Sequence, residues 1–364
     1  MTTTATTSGL DGVVVADTRL SEVDGERGRL VIAGHDIERL AGAATFEDVA
    51  GLLWTGTLPD AAGREEVRAA LAEGRVRAFA ALDRLGAALT LTDGMDALRA
   101  ATAQLAADDG FGAPARLTGA VAVFAAAWAR MRAGGQPVAP ERGRGHAEDY
   151  LRMLLGREPE APRVAGLEAY LVTVADHGMN ASTFAARVVT STGSDAVSAI
   201  VAAIGALKGP LHGGAPGPVL DMLDAVGEPD RAAAWIEAEL AANRRIMGMG
   251  HRIYRVRDPR AAVLERAIAQ LEQAGRSTGR LALARAVEAA AAGALGRKYP
   301  DRPLAANVEF YTAVLLDAVA IDRAAFSPTF AVGRVAGWCA HVLEQRATGR
   351  LIRPASRYVG PMID

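Results

Sequence analysis

Alanine limits what this chain can become. Runs such as SAIVAAIGAL and VEAAAAGAL recur along 364 residues, of which 50% are hydrophobic and only 5% aromatic. Alanine and leucine favour helix, whereas the valine, isoleucine and aromatic alternation that marks sheets is scarce. The chain is therefore expected to be all-α. Its length allows a large core and two or three domains. One opening segment, GLDGVVVADTRLSEVDGERGRLVIAGHDI, differs. It carries two β-rich pieces, Val13–Ala16 and Leu30–Ile32, around the turn signal Asp24-Gly25, and is expected to form a small hairpin. Residues 1–9 before it form a polar, threonine-rich tail, expected to be disordered at its start.

Charge and cysteine usage narrow the class further. A formal charge of −2 provides no basic face for nucleic acid. The single cysteine, Cys339, excludes an internal disulfide and fits a reducing compartment. MTTTATTSGLDG has neither the basic nor the apolar region of a signal peptide. No stretch of about 18 apolar residues is free of charge, so no membrane span is expected. These readings point to a cytoplasmic helical protein.

Helix signals then follow one another. From Thr45, Phe46, Val49, Leu52, Leu53 and Trp54 mark an apolar face that ends at Gly56. Helices and short turns alternate through Tyr170, with GGQPVAPERGR (Gly134–Arg144) as a connector. Asn180 and Ser182 can cap the helix carrying Phe184, Val188 and Val189, and Ser194 or Asp195 caps the next. Lys208-Gly209-Pro210 stops that helix, and another is expected to begin near Pro218. A further helix is expected from Pro229 to the glycines at Gly248–Gly250. Asp258-Pro259 opens AAVLERAIAQLEQ, Leu281–Leu295 is alanine-rich helix, and Ser327-Pro328 starts a long helix, apolar almost all round, that Gly349 closes.

The polar residues worth chemistry lie at the edges of these helices. Two of six histidines occupy glycine-rich turns, His212 in LHGGAPGP and His251 in IMGMGHRIYRVRDPR. Gly213, Gly214 and Gly217 let the backbone turn tightly and approach a ligand. A helix N-terminus beside His212 disfavours the imidazolium, leaving a neutral ring that can donate one N–H. His177, in DHGMNASTF, either bonds its own loop or meets a ligand. Met247, Gly248, Met249 and Gly250 can offer backbone groups to an adenine edge or a carbonyl. Arg252, Arg255, Arg257 and Arg260 make a cationic run that is either solvated or an anion site. Asn307 can cap a helix with Glu309 in its first turn, where the dipole favours the ionised carboxylate of a general base or of a plain helix stabiliser. Arg334 sits four residues from Phe330 and four from Trp338 on an apolar stripe, so its charge needs an anionic partner. Arg350, Arg353 and Arg357 close the chain in an extended tail.

Taken in order, LKGPLHGGA, GMGH…DPR, NVEFY, the F-x-x-x-R of Phe330–Arg334 and the terminal IRP resemble the citrate synthase family. The opening segment and DHGMNASTF match the same family, so the resemblance runs from about Gly9 to the C-terminus. It is closest to bacterial citrate and 2-methylcitrate synthases of the actinobacterial citrate synthase 2 type. The resemblance implies an all-helical homodimer with a large domain (1–218 and 323–364) and a smaller mobile domain (219–322) carrying the CoA site and the base. It implies condensation of oxaloacetate with acetyl-CoA and hydrolysis of citryl-CoA, with no permanently bound cofactor and no metal. Glu309 would be the base, His212 the donor to the thioester oxygen, and His251 the donor to the oxaloacetate carbonyl. His177, Arg260 and Arg334 would bind oxaloacetate, joined by Arg353 from the neighbouring subunit. Met247–Gly250 would contact adenine and Arg255 the CoA phosphates.

The chain departs from the family pattern at the base, where the family usually has aspartate. Glutamate keeps the charge but shifts it by about an ångström, a misplacement that can cost on the order of 100-fold in rate. AGHDI replaces the common RGYDI, and RPLAAN lacks the Tyr-Pro that often precedes the NV motif. The alternatives are a 2-methylcitrate synthase using propionyl-CoA, and a weakly active or non-catalytic paralogue that binds oxaloacetate or CoA. One methylene in an apolar pocket is worth only about 1–3 kcal/mol, so sequence alone leaves the acyl group open.

Overall fold

A computed structural model describes residues 8–10, 12–213, 216–251, 253–276, 279–302 and 304–361. The start of the threonine tail, Gly214 and Arg252 lie outside them. The described chain is helical apart from one small sheet, as the alanine content predicts. Three short antiparallel strands come first: β1 (Ser21–Asp24), β2 (Arg29–Ile32) and β3 (His35–Asp36), in the order β1-β2-β3. Ser21 pairs with Ile32 and Asp24 with Arg29, so the turn at Asp24-Gly25 is where the sequence places it. The first strand is not. Val13–Ala16 joins no strand, and Val14 is 83% exposed. Strand pairing went to SEVD, which lies next to the turn and needs no long loop to close.

The helices are α1 (Ile37–Leu40), α2 (Phe46–Thr55), α3 (Ala61–Ala80), α4 (Gly94–Thr102), α5 (Pro114–Arg132), α6 (His146–Leu155), α7 (Ala161–Val174) and α8 (Ala181–Ser191). They continue with α9 (Ala196–Leu207), α10 (Pro216–Val226), α11 (Ala232–Ala241), α12 (Pro259–Gln273), α13 (Arg280–Lys298), α14 (Val308–Ala318) and α15 (Phe326–Thr348). Local capping chemistry sets many of their starts. Thr45 and Asp48 form a capping box on α2, and Asn180, Asp195, Asp258 and Asn307 each accept a first-turn N–H. Two ends differ from expectation. α10 begins at Pro216 rather than near Pro218. Pro229 opens only a 3₁₀ turn before α11, which ends at Ala241 instead of running on to the glycines. Asn243, at φ 54°, turns the chain left-handed, and Ile246 enters the core from a non-helical segment.

α15 is the central rod. It is buried without interruption from Pro328 to Val342 and packs on α2, α5, α7, α8 and α9. Such burial on all sides requires small residues at the crossings. A Cβ on Gly337 would collide with Ala175 O and the Asp176 side chain, so glycine there lets α15 lie against the end of α7. That contact brings Arg334 beside the loop carrying His177. Farther along, α12 packs on α7 and α14, and α11 packs on α13.

Candidate active site

The site forms where loops leave these helices. After α7 the chain passes through Asp176, His177 and Gly178 before Asn180 caps α8. Gly178, at φ 59°, takes the left-handed turn that this reversal requires. His177 Nε2 lies 3.1 Å from Tyr254 Oη, and the rings of His177 and His251 are 5.6 Å apart. A second junction joins the glycine loop to the start of α14. Gly250 N–H donates to Ala305 O at 2.7 Å, Asn307 N–H donates to Gly248 O at 2.9 Å, and Asn307 Nδ2 donates to Gly250 O at 2.9 Å. Met249 and Ala306 form an isolated antiparallel bridge there. The loop that ends in His251 is therefore zipped to the segment that begins with Glu309.

Hydrogen bonds assign the tautomer of His251 and anchor the ring of His212. Nδ1 of His251 accepts from the backbone N–H groups of Ile253 (3.0 Å) and Tyr254 (3.1 Å), so its proton is on Nε2. His212 Nε2 meets Ser182 Oγ at 2.7 Å. Asn180 Oδ1 already accepts the N–H groups of Ser182 and Thr183, and Trp338 Nε1 donates to Ser182 Oγ at 3.1 Å. The single Ser182 hydroxyl hydrogen has two acceptors in reach, Asn180 Oδ1 at 2.8 Å and His212 Nε2, so the serine holds the His212 ring in place without choosing its tautomer. Burial pushes both imidazoles down to about 4, helped by Arg334 at His212 and by Arg260 at His251. Burial, then Arg260 and Arg334, hold His177 well below the ordinary histidine range. All three rings are neutral at pH 7.

The carboxylate and the arginines complete the cleft. Asn307 Oδ1 accepts the Glu309 N–H at 3.0 Å, which fixes Glu309 in the first turn of α14. Its carboxyl makes no hydrogen bond to a described residue. Burial raises it to about 7; Arg260 and Arg334 oppose that shift and Asp258 adds to it. Arg260 Nε and Nη2 grip Asp258 at 3.0 and 2.7 Å. Arg334 lies over the Phe330 ring at 4.9 Å and donates from Nε to Val174 O at 2.5 Å. Burial lowers Arg334 to about 10, with Asp176 acting in the opposite direction. His212 also borders Phe330, with ring centroids 6.4 Å apart.

His177, His212, His251, Glu309, Arg260 and Arg334 thus meet in one electrostatic neighbourhood. Arg353 does not. It is exposed on the segment after α15, where it lines a cavity of about 780 Å³ that includes none of the three histidines. Among the described residues of the cationic run, Arg257 pairs with Glu265 and Glu288 at 2.9 and 2.7 Å, while exposed Arg255 only reaches Glu26 at 4.0 Å. Gly248 O, Gly250 N–H and Gly250 O are engaged in the zipper. Tyr254, Ser182 and Asp258's grip on Arg260 escaped sequence reading. The Asp-x-Arg spacing carried the last signal, since a cap at that position lies beside the first turn's side chains. Among the described residues, no group of three or more His, Cys, Asp or Glu could hold a metal. No helix among them is long and apolar enough to cross a membrane.

Comparisons with known proteins agree along the whole chain. The sequence model described as "Citrate synthase, C-terminal domain" matches residues 9–355. A 2-methylcitrate synthase of Mycobacterium tuberculosis is 38% identical, covering 97% of this chain and 90% of that protein. A citrate synthase of Haloferax volcanii is 39% identical, over 97% and 95%. Among solved structures, the citrate synthase of Thermotoga maritima superposes with a TM-score of 0.85 at 35% identity, over 98% and 96% of the two chains. That of Thermoplasma acidophilum, solved with carboxymethyl coenzyme A and oxaloacetate, gives 0.87 at 27% identity, over 98% and 96%. The fold is therefore the all-α, two-domain architecture of an acyl-transferring enzyme class. The chain belongs to the citrate synthase family and is an enzyme of that type.

Proposed function

We propose that the enzyme condenses oxaloacetate with acetyl-CoA and hydrolyses the resulting citryl-CoA to citrate and CoA. Glu309 takes a proton from the methyl carbon beside the thioester. The C–H electrons move into the C=C bond of the enolate, and an N–H of His212 hydrogen-bonds the thioester oxygen as charge gathers there. The enolate carbon attacks the oxaloacetate ketone carbon, the ketone oxygen takes a proton from His251 Nε2–H, and the proton that Glu309 removed makes good the one His251 gave, so both groups return to their starting states. Water then attacks the thioester, leaving a carboxylate and the CoA thiol. His177, Arg260 and Arg334 hold oxaloacetate, with the arginines on its carboxylates. One observation carries the reading. A single carboxyl raised to about 7 stands among buried arginines and neutral imidazoles, the environment that proton abstraction beside a carbonyl needs at neutral pH.

Residues 219–322 would form the smaller, closing unit, a division that cuts within α10 and so hinges on that helix. Met247 would carry most of the adenine contact, since Met249 is buried in the core and Gly248 O, Gly250 N–H and Gly250 O are engaged. Arg255 would exchange Glu26 for a CoA phosphate. The enzyme would act in the cytoplasm as a homodimer, with Arg353 completing the neighbouring site. Acyl-CoA would be a co-substrate, with nothing bound permanently. A second reading, 2-methylcitrate synthesis from propionyl-CoA, is favoured by the 38% identity to the M. tuberculosis enzyme of that name. Oxaloacetate-dependent thiol release tests both: faster turnover of acetyl-CoA supports the first reading, and faster turnover of propionyl-CoA replaces it with the second. No release from either would refute the proposal.

A further inference from the structure

The two arginines assigned to oxaloacetate keep their counter-charges in opposite ways. Asp258 holds Arg260 with both oxygens. Asp176 is fully buried and electrostatically coupled to Arg334, yet no hydrogen bond joins them. Other donors occupy the Asp176 oxygens. Oδ1 accepts from His341 Nε2 at 3.2 Å, while Oδ2 accepts from Ser21 Oγ at 2.5 Å and Gly178 N–H at 3.2 Å. Behind His341, Arg187 Nη1 donates to Nδ1 at 3.0 Å, and Arg187 is clamped in turn by Glu344 (2.6 Å) and Gln345 (2.9 Å). Arginine has only donors, so His341 Nδ1 must accept, which places its proton on Nε2 facing Asp176.

We propose that Ser21, His341 and Arg187 are positioning residues that hold Asp176 away from Arg334, leaving the guanidinium charged but unclaimed for a substrate carboxylate. This rests on reading Arg334 as an oxaloacetate ligand. A buried guanidinium requires negative charge nearby. A carboxylate free to make a two-point contact would satisfy that requirement and also compete with the substrate. The restrained aspartate supplies the charge without the competition. Ser21 belongs to β1, so the N-terminal hairpin contributes a hydroxyl to the substrate end of the site although it touches no substrate itself.

The test is steady-state kinetics on the full chain with four variants, together with the thermal shift caused by oxaloacetate. Ser21 lies on the partly exposed hairpin, where Ser21→Ala carries little folding risk. It should raise KM for oxaloacetate about 3–10-fold, the worth of one hydrogen bond. kcat and KM for acyl-CoA should stay at wild-type values, and Ser21→Thr, which keeps the hydroxyl, should restore the oxaloacetate KM. His341→Ala should raise that KM further. His341→Gln, whose amide offers a donor and an acceptor in matching places, should recover it. An oxaloacetate KM unchanged in Ser21→Ala overturns the proposal, as does a joint decline of kcat and both affinities. A wild-type chain without oxaloacetate-dependent thiol release sinks both this role and the functional reading; a wild type that turns over while its variants keep their oxaloacetate KM sinks this role alone.

Discussion

His212 and His251 reach the same depressed range, about 4, by the same means, burial and a neighbouring arginine. Their rings are nevertheless set by different kinds of partner. Two backbone N–H groups three residues or fewer away fix His251, and no side-chain substitution removes them. His212 is fixed by a chain of side chains, Asn180, Ser182 and Trp338, drawn from α8 and α15. One donor is built into its own loop; the other depends on tertiary packing and can be retuned by a single substitution far away in sequence.

Ways to break that comparison can be ordered by size. Both imidazoles would serve one base, so Glu309→Gln should lower kcat about 10²–10⁴-fold. A Gln variant as fast as wild type would leave the two donors without a common purpose. Glu309→Asp is its companion, and a faster enzyme would mean that the longer side chain is a geometric compromise. Next, His212→Ala and His251→Ala should each cost about 10²–10³-fold in kcat, the worth of one preorganised donor to a developing oxyanion. Ser182→Ala should then cost about 10-fold in kcat through His212 alone, roughly one hydrogen bond's free energy. Wild-type turnover in that variant would erase the distinction between the loops.

The remaining effect is on stability, and its sign differs between the two halves of the site. The Glu309 carboxyl is raised to about 7 when folded, so its protonated form stabilises the fold and that contribution is lost as pH rises through 7. Glu309→Gln should melt higher than wild type at pH 8, by about 1–3 kcal/mol, with the gap closing below pH 4.5, the ordinary carboxyl value. The histidines are depressed from 6.5 to about 4, so the unfolded chain takes up protons first and stability falls as pH drops across that window. Melting curves that show no Glu309-dependent gap at pH 8 would remove the argument for a raised carboxyl. The same carboxyl predicts a kcat/KM that climbs with pH through about 7.

Features governed by neighbours in sequence were the legible ones. Asp258 and Asn307 cap their helices as read, and Asp195 is the one of the two residues offered for α9 that does so, because a cap is satisfied within one turn. Val13–Ala16 failed as a strand because strand pairing depends on a partner, and β propensity alone names none. The overlong helix before the glycines failed at Asn243, whose left-handed turn an apolar pattern does not register. Asp176 and His341 were not singled out either. His341 lies seven residues after Arg334, two turns along the same face of α15, so helical spacing could have paired them. What spacing could not supply was Asp176, which arrives from the end of α7.

The zipper between Met249 and Ala306 has a consequence for accuracy. A donor and a base carried on independent loops would wander independently, and their aiming errors would combine. Here Asn307 bonds Gly248 and Gly250 on one side and holds Glu309 on the other. A displacement of the His251 loop therefore carries the carboxylate along, and the two groups keep their mutual spacing while drifting relative to the substrate. The reaction has one alignment to achieve where two would otherwise be required.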